Sequence, residues 1–356
     1  MLETTPVMDP MSASLRPRES RRGRRTAVTL NHVAAAAQVS PITVSRALNA
    51  PEAVSETLRE RINAAVEALG YVPNRMAGAL ASAKTRVIPV IVPSLSNVVF
   101  VEVIEGIQET IEAAGYQMLL GSTDYDLDRE AALASTLLGW APPGVLLAGL
   151  RHLPRTTTLL KNADVPVVEF MEYGARCIDM NVGLSHVQAG AAMAAHLLAR
   201  GYRRIGFVGT RMCGDYRARQ RYDGMRRHIA EMGGASDVLF EYPGGPGQDV
   251  GWHALGDILQ THPDVDALFF ANDEMAVGAV LRAQRDGIAV PGRIAIAGFN
   301  GLPMSALVTP SLTTITSPRK QIGEQAAAML LSRIDGRCPP QRRIDVGFVL
   351  QPRSST

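Results

Sequence analysis

The residue types and spacing best suited to chemistry lie in Ser40-Pro41-Ile42-Thr43-Val44-Ser45-Arg46, and the chemistry is recognition of DNA bases. Ser40 offers a hydroxyl as a helix N-cap, and Pro41 takes the first helical position, where no N–H is needed. Val44, Ala47 and Leu48 then share a buried face. The opposite face carries Ile42, Thr43, Ser45 and Arg46, short or directional side chains that can reach base edges from a helix in a major groove. Upstream, Thr29 can cap a first helix whose inner stripe is Leu30, Val33, Ala34 and Ala37. Two short helices around a tight turn predict a helix-turn-helix. An ordinary helical hairpin is the competing reading.

Two further stretches suit contact with nucleic acid. Arg16, Arg18, Arg21, Arg22, Arg24 and Arg25 lie close together with one acid, Glu19, among them. That run fits phosphate contacts and counterion release, and equally a solvated, unstructured tail. Asn74 can cap the segment Arg75–Ala81, which is too short for a stable isolated helix and is weakened further by Gly78. If a partner orders it, with two copies side by side in a minor groove, Leu80 becomes an apolar wedge between base steps. A plain linker is the alternative.

Catalytic patterns are missing. There is no GxSxG, HExxH or Walker loop, and Gly244-Gly245-Pro246-Gly247 lacks the following Lys-Ser/Thr. Asp124 and Asp126 sit in a polar turn without an evident acid or base partner. Cys177, Cys213 and Cys338 are far apart and in no CxxC pattern, so free, mostly buried thiols in a reducing cytosol are expected. The reading is no enzyme, no cofactor and no metal.

The elements that must position these residues follow from patterning. The chain of 356 residues, 46% hydrophobic and 20% charged, is an ordinary globular protein of two or three domains. Ser55 caps a third helix with Leu58, Ile62, Val66 and Leu69 on one stripe, and Gly70 ends it. From Val87, short apolar runs (Val87–Val92, Gln117–Gly121, Val145–Ala148, Val165–Glu169, Ile205–Val208, Ala267–Ala271, Ile294–Ala297) alternate with amphipathic stretches near 101–114, 128–139, 186–200, 219–232, 251–261, 274–286 and 319–335. This alternation predicts an α/β protein with two parallel sheets. Ligands in such sheets lie beyond the C-terminal strand ends. The polar groups expected there are Ser94, Ser96, Asn97, Ser122, Asp124, Arg151, His152, Glu169, Glu172, Arg211, Asn272, Asp273 and Asn300. Residues 1–15 lack a basic segment followed by an apolar core, and no apolar run reaches the roughly 18 residues of a membrane helix. A cytoplasmic location without a membrane partner is expected.

In this order the motifs resemble the LacI/GalR family of bacterial transcription regulators, from Thr29 to about Leu350. The likeness rests on Val33-Ala34, Ala37, Val39-Ser40 and Thr43-Val44-Ser45-Arg46, then on Gly70-Tyr71-Val72-Pro73-Asn74. It continues through Ala271-Asn272-Asp273, Ala276-Val277-Gly278-Ala279, Val290-Pro291, Ile296-Ala297-Gly298-Phe299 and Leu312-Thr313-Thr314-Ile315. Within the family, Ser40–Arg46, Val165-Pro166-Val167-Val168-Glu169 and Thr316-Ser317-Pro318-Arg319 look most like gluconate-operon repressors.

The resemblance implies a helix-turn-helix headpiece, a hinge helix and a two-lobed periplasmic-binding-protein-like core. The expected limits are a disordered basic leader at 1–26, the DNA-binding domain at 27–73 and the hinge at 74–85. The core spans 86–353, with one lobe from 86–184 and 316–335 and the other from 185–315 and 336–353. Pro41, Ile42 and Arg46 take base-reading positions: Arg46 can bond bidentately to a guanine and Ile42 can pack on a thymine methyl. The full DNA-contacting set is Thr29, Ser40, Pro41, Ile42, Thr43, Ser45, Arg46, Asn49, Tyr71, Asn74, Arg75 and Leu80. Arg221 and Asp273 fall on ligand-contacting positions, and Asn300 stands where the family often has Asp.

The effector set is Ser94, Phe100, His152, Glu169, Arg221, Asp273 and Asn300, around a small sugar acid such as gluconate or a relative. Arg221 would grip the acid, against the alternative of a surface arginine. Asp273 would accept hydroxyls or cap the helix after it, and Phe100 would stack on a sugar face or pack in the core. Glu169 would accept hydroxyls or pair with Arg151 or Arg211, and His152 could equally be a satisfied surface histidine. Without a leucine heptad tail, a homodimer on a palindromic operator fits better than a tetramer. Two departures stand out: the turn glycine is Gln38, and the Asp-Asn pair opening the second lobe is Ser185-His186. The rival hypothesis, a cytoplasmic sugar-binding module or sugar-converting enzyme, leaves residues 29–83 without a task.

Overall fold

The computed structural model describes residues 28–71, 85–233 and 235–356, which fall into two units, one within Met1–Gly78 and one within Ala79–Thr356. The basic leader and the hinge residues Asn74, Arg75 and Leu80 lie outside the described residues.

The first unit is built from α1 (Leu30–Ala36), α2 (Pro41–Asn49) and α3 (Glu56–Leu69). The Thr29 N–H bonds to the His32 ring at 3.0 Å at the start of α1, and Ser40 Oγ accepts from the Thr43 N–H at 3.1 Å at the start of α2. Between them Gln38 adopts φ +52° in the left-handed region, so the glycine position of the turn keeps its geometry without a glycine. The turn closes through Val39 N–H to the Ala34 carbonyl at 2.9 Å. Val33, Val44 and Ile62 are completely buried at the centre, each contributing about 1.5–3 kcal/mol. Arg61 Nε, from α3, donates to the Ala37 carbonyl at 3.0 Å and fixes the turn from outside. Gly70 (φ +60°) ends α3, and Tyr71 N–H reaches the Val66 carbonyl at 3.0 Å.

The second unit holds two six-stranded sheets among the described residues. The first contains β1 (Val87–Val92), β2 (Gln117–Ser122), β3 (Val145–Ala148), β4 (Val167–Glu172), β5 (Met180–Leu184) and β11 (Arg343–Asp345), in the order β11-β5-β4-β3-β1-β2 and all parallel. The second contains β6 (Arg204–Thr210), β7 (Ser236–Tyr242), β8 (Ala267–Phe270), β9 (Ala295–Asn300), β10 (Thr313–Thr316) and β12 (Val349–Gln351), ordered β12-β10-β9-β8-β6-β7, with only β12 antiparallel. The two sheets repeat one topology: each has its strand-order reversal beside its first strand, the place where open sheets bind ligands. The β1 sequence Val-Ile-Pro-Val-Ile-Val is apolar throughout because helices cover both faces of such a sheet.

One expected boundary needs correction. Residues 336–353 were assigned to the second lobe, but β11 pairs with β5 in the first sheet, Ile344 opposite Val182. The chain passes back to the second sheet only after Asp345, and β12 pairs there with β10. Beyond β12, Ser355 and Thr356 are buried; Ser355 Oγ bonds the Ile296 carbonyl at 2.6 Å and the Thr313 N–H at 2.8 Å. The expectation of mostly buried thiols also fails: Cys213 and Cys338 are exposed, although all three cysteines are free. Among the described residues no helix is long and apolar enough to cross a membrane.

Candidate functional site

In the first unit, the face of α2 opposite Val44 and Ala47 presents Pro41, Ile42 and Arg46, all exposed. Ile42 is 72% exposed, so its side chain is free to make an apolar contact outside the unit. Thr43 and Ser45 are half-buried beside them, Thr43 Oγ1 lying 2.8 Å from Ser40 Oγ. Thr29 is exposed at the start of α1, and Asn49 ends α2. Tyr71, expected at the DNA, is instead 9% exposed and packs into the headpiece core, because the turn after Gly70 folds it back over α3.

In the second unit, a cleft of about 560 Å³, mouth included, opens beyond the C-terminal ends of both sheets. The first sheet contributes Asn97, Phe100, Tyr125, Met171 and Leu184; the second contributes Thr210, Asp215, Arg217, Arg221, Asn272, Phe299 and Asn300. Expected residues Phe100, Arg221 and Asn300 therefore meet here.

The helix Tyr216–Met232 supplies the charge. Asp215 caps it by accepting the Ala218 N–H at 3.2 Å, and Arg217 and Arg221, four apart, lie on one face of its first turns. Close helix contact holds this face in place: a β-carbon on Gly190 would overlap the Arg221 carbonyl, and one on Gly224 the Val187 carbonyl. Both arginines are buried, 5% and 6% exposed, and neither is in an ion pair among the described residues.

Arg221 stacks over Phe299 at 4.1 Å, donates from Nη2 to the Ala271 carbonyl at 2.9 Å, and places Nη1 3.0 Å from His186 Nδ1. Burial, then the Arg221 and Arg217 charges, hold His186 well below its ordinary pKa. Burial pushes Arg221 down to about 10, still protonated near neutrality. The departure Ser185-His186 thus has a defined use: Ser185 caps the helix His186–Ala199, accepting the Gln188 N–H at 3.2 Å, and His186 orients Arg221. On the opposite wall, Asn97 Nδ2 donates to the Tyr125 hydroxyl at 3.1 Å.

Four expected residues do not line the cleft, because their polar atoms are used inside the protein. Asp273 is wholly buried and accepts from Leu302 N–H at 2.7 Å, Ser305 Oγ at 2.7 Å and Thr314 Oγ1 at 2.6 Å. The cap of its helix is Asn272, which accepts the Met275 N–H at 2.9 Å. Glu169 and His152 bond each other at 3.2 Å, and the second histidine nitrogen lies 2.8 Å from Glu130. Glu169 also takes the Ile178 N–H rather than Arg151 or Arg211. Ser94 accepts the Asn97 N–H at 3.2 Å and shapes the turn after β1.

Sequence reasoning missed Arg217, Asp215, Tyr125 and His186. The signal for Arg217 was its four-residue spacing to Arg221 behind the helix cap Asp215. No group of three or more His, Cys, Asp or Glu side chains suited to a metal is found among the described residues.

Comparison with known proteins agrees with this architecture. The model of bacterial regulatory proteins of the lacI family matches residues 29–74, and that of the periplasmic binding protein-like domain matches residues 194–356. The HTH-type transcriptional regulator GntR of Pseudomonas aeruginosa is 38% identical over 335 residues, covering 92% of this chain and 95% of that protein. A LacI family transcriptional regulator from Silicibacter pomeroyi superposes with a TM-score of 0.87 at 39% identity, over 92% of this chain and 99% of its own. The lac repressor dimer bound to operator and an anti-inducer superposes with a TM-score of 0.79 at 23% identity, over 93% of this chain and 99% of that one, a likeness of fold alone.

Proposed function

We infer, from the premise that this chain belongs to the lacI family of bacterial regulatory proteins and is a DNA-binding regulator with an effector-binding core, that its effector is a sugar acid, gluconate or a close relative. The observation that carries this reading is the pair of buried arginines, Arg217 and Arg221, lining the cleft without a carboxylate partner among the described residues. Buried cations are ordinarily paired, and here two arginines share one nearby carboxylate, Asp215, so the cleft keeps an excess positive charge suited to an anion. Asp215, Asn97, Tyr125 and Thr210 around them suit the hydroxyls of a polyol. The likeness of Ser40–Arg46 and Thr316–Arg319 to gluconate-operon repressors points the same way.

The regulator acts as a homodimer on a palindromic operator, with one α2 in each of two successive major grooves. Effector bound between the sheets touches both walls and so favours one angle between the lobes. It changes operator affinity only by as much as it prefers that angle. The segment around Leu80, which lies outside the described residues, is the proposed link that carries the change to the operator.

Titration of gluconate into a complex of the protein with its operator tests this, with release of DNA the expected result. No release at millimolar gluconate removes it as the effector.

A further inference from the structure

We propose that Arg217, rather than Arg221, binds the effector's carboxylate, with Asp215 beside it accepting effector hydroxyls. This rests on the sugar-acid reading of the cleft and assigns its parts.

The two arginines share a helix face but are used differently. Arg221 has both terminal nitrogens in hydrogen bonds, to His186 Nδ1 and the Ala271 carbonyl, and its flat face covered by Phe299, so that only its Nε is buried without an acceptor. It is part of the wall. Arg217 makes no hydrogen bond and no ion pair among the described residues, and its Nη1 is fully buried without an acceptor. Its guanidinium instead rests near two aromatic rings, Phe100 of the first lobe at 5.6 Å and Tyr216 of the second at 5.5 Å. A guanidinium with free donors, beside two aromatic rings and almost shut off from water, matches one planar bidentate acceptor.

The charges of the wall agree. Arg221 has only donors, so the His186 nitrogen facing it must be an unprotonated acceptor, and the ring is neutral. Of the groups that line the cleft, Arg217 and Arg221 are cations and Asp215 is the anion, one positive charge in excess; Glu172, which also acts on Arg217, lies outside the lining and is already bonded to Gln220 and Leu150. One Asp215 oxygen takes the Ala218 N–H; the other accepts no hydrogen bond among the described residues. It is the acceptor a hydroxyl next to the carboxylate needs. Ser317 Oγ, also lining the cleft, is buried and unbonded and can serve a further hydroxyl.

The test uses full-length protein and a charge series: gluconate, its neutral amide gluconamide, and sorbitol, each titrated by calorimetry. Gluconamide and sorbitol should bind about 100-fold more weakly than gluconate, since neither offers Arg217 an anion. Arg217→Met keeps the apolar stem against Phe100 and should abolish most of that preference; Arg217→Lys, which loses the bidentate fork, should weaken gluconate about tenfold. Equal binding of gluconate and gluconamide overturns the proposal, as does a preference for gluconate that survives in Arg217→Met. In the second case the sugar-acid reading stands and only the anchor is wrong. If neutral sugars bind and no sugar acid does, the sugar-acid reading itself falls. Should Arg217→Met not fold, unchanged gluconate affinity in Arg217→Lys overturns the proposal.

Discussion

The backbone N–H of Leu150 donates to the Tyr216 hydroxyl at 3.0 Å, and this bond joins the two lobes. Leu150 follows β3 in the first sheet, and Tyr216 opens the helix that carries Arg217 and Arg221 in the second. The approach is close enough that a β-carbon on Gly149 would overlap the tyrosine oxygen. Gln220 Nε2 to Glu172 at 2.6 Å and Arg151 Nη1 to the Cys213 carbonyl at 3.2 Å cross the same gap. The exposed Arg211–Asp124 pair at 3.6 Å adds little.

Tyr216→Phe removes this acceptor while keeping the ring beneath Arg217. Leu150 N–H retains Glu172 Oε2 at 3.2 Å, so the loss should be only about 1 kcal/mol. It is expected as a small fall in Tm and a fewfold weaker effector affinity, because the ligand must hold the lobes together with one bond fewer. Unchanged affinity in calorimetry would mean that the Leu150–Tyr216 bond does not help the lobes to close.

His152 holds the same segment after β3, its Nε2 lying 3.1 Å from the Gly149 carbonyl. Burial lowers its pKa, but the hydrogen bonds and charges of Glu130 and Glu169 outweigh burial and raise it from 6.5 to about 9. A folded value above the unfolded one means that the contribution to stability is complete below about pH 6.5 and disappears as pH rises through 9. Native protein should therefore lose stability between those limits. His152→Gln, which leaves two buried carboxylates without their cation, should cost about 3–5 kcal/mol near neutrality and flatten that pH dependence. Denaturant melts at both pH values give the answer; equal slopes for the two proteins would refute the ion-pair role.

Asp273 separates structure from ligand binding. Its three hydrogen-bond donors are a backbone N–H and two hydroxyls, and Thr314 Oγ1 ties the helix that follows β8 to β10, two strands away in the sheet. Asp273→Asn should destabilise the fold by about 2–3 kcal/mol, since one oxygen becomes a donor facing donors. Effector affinity, measured well below the melting range, should hardly change. A selective loss of affinity would return Asp273 to the cleft.

Much of this fold was legible in the sequence, and the exceptions named here have two causes. Strands such as β1 and β8 are uninterrupted apolar runs, which parallel sheets require. β5 is Met-Asn-Val-Gly-Leu, and its Asn181 is fully buried only because Nδ2 finds the Glu169 and Glu172 carbonyls at 2.9 and 2.7 Å. β10 is mostly threonine: Thr313 and Thr314 are satisfied by Asp273, Ser355 and Arg353, while Thr316 Oγ1 is buried without a partner among the described residues. Hydropathy cannot reveal a polar residue whose partner lies on another element, 9 and 12 positions away for Asn181 and 41 for Thr314. β11 and β12 are three residues each, too short for any periodicity.

The site divides along the same line. Arg221 was visible from its family position, Asn300 from its place at a strand end, and Phe100 as an aromatic ring able to stack on a sugar face. His152 and Glu169 look like ligands from the sequence because their mutual bond, and the reach of Glu130 from a separate helix, become visible only in three dimensions. Arg217 was obscured by the neighbouring arginines, of which Arg219 is exposed while Arg217 is buried.

Arg46 is exposed on α2 beside Ile42 and should read a base rather than only a phosphate. Arg46→Ala should relax sequence preference at one operator position by about 1–3 kcal/mol while changing the salt dependence little. Binding to a library of operator variants at two salt concentrations separates these effects. An unchanged preference with a shallower salt slope would make Arg46 a phosphate contact.

Gln38 offers a test of the headpiece that leaves its reading face intact. The turn between α1 and α2 needs a left-handed residue for Val39 N–H to reach the Ala34 carbonyl, and Gln38 supplies it at φ +52° despite its side chain. A non-glycine residue in that region bears about 1–2 kcal/mol of strain. Glycine relieves it but gives back about 0.5–1 kcal/mol through the freer unfolded chain. Gln38→Gly should thus stabilise the headpiece by up to about 1 kcal/mol. Slower hydrogen exchange of the α1 and α2 amides is the expected readout, with base preference unchanged because Gln38 lies on neither the Ile42–Arg46 face nor the Val33–Val44 core. Faster exchange in the glycine variant would show that the glutamine side chain contributes more to the turn than its backbone strain takes away.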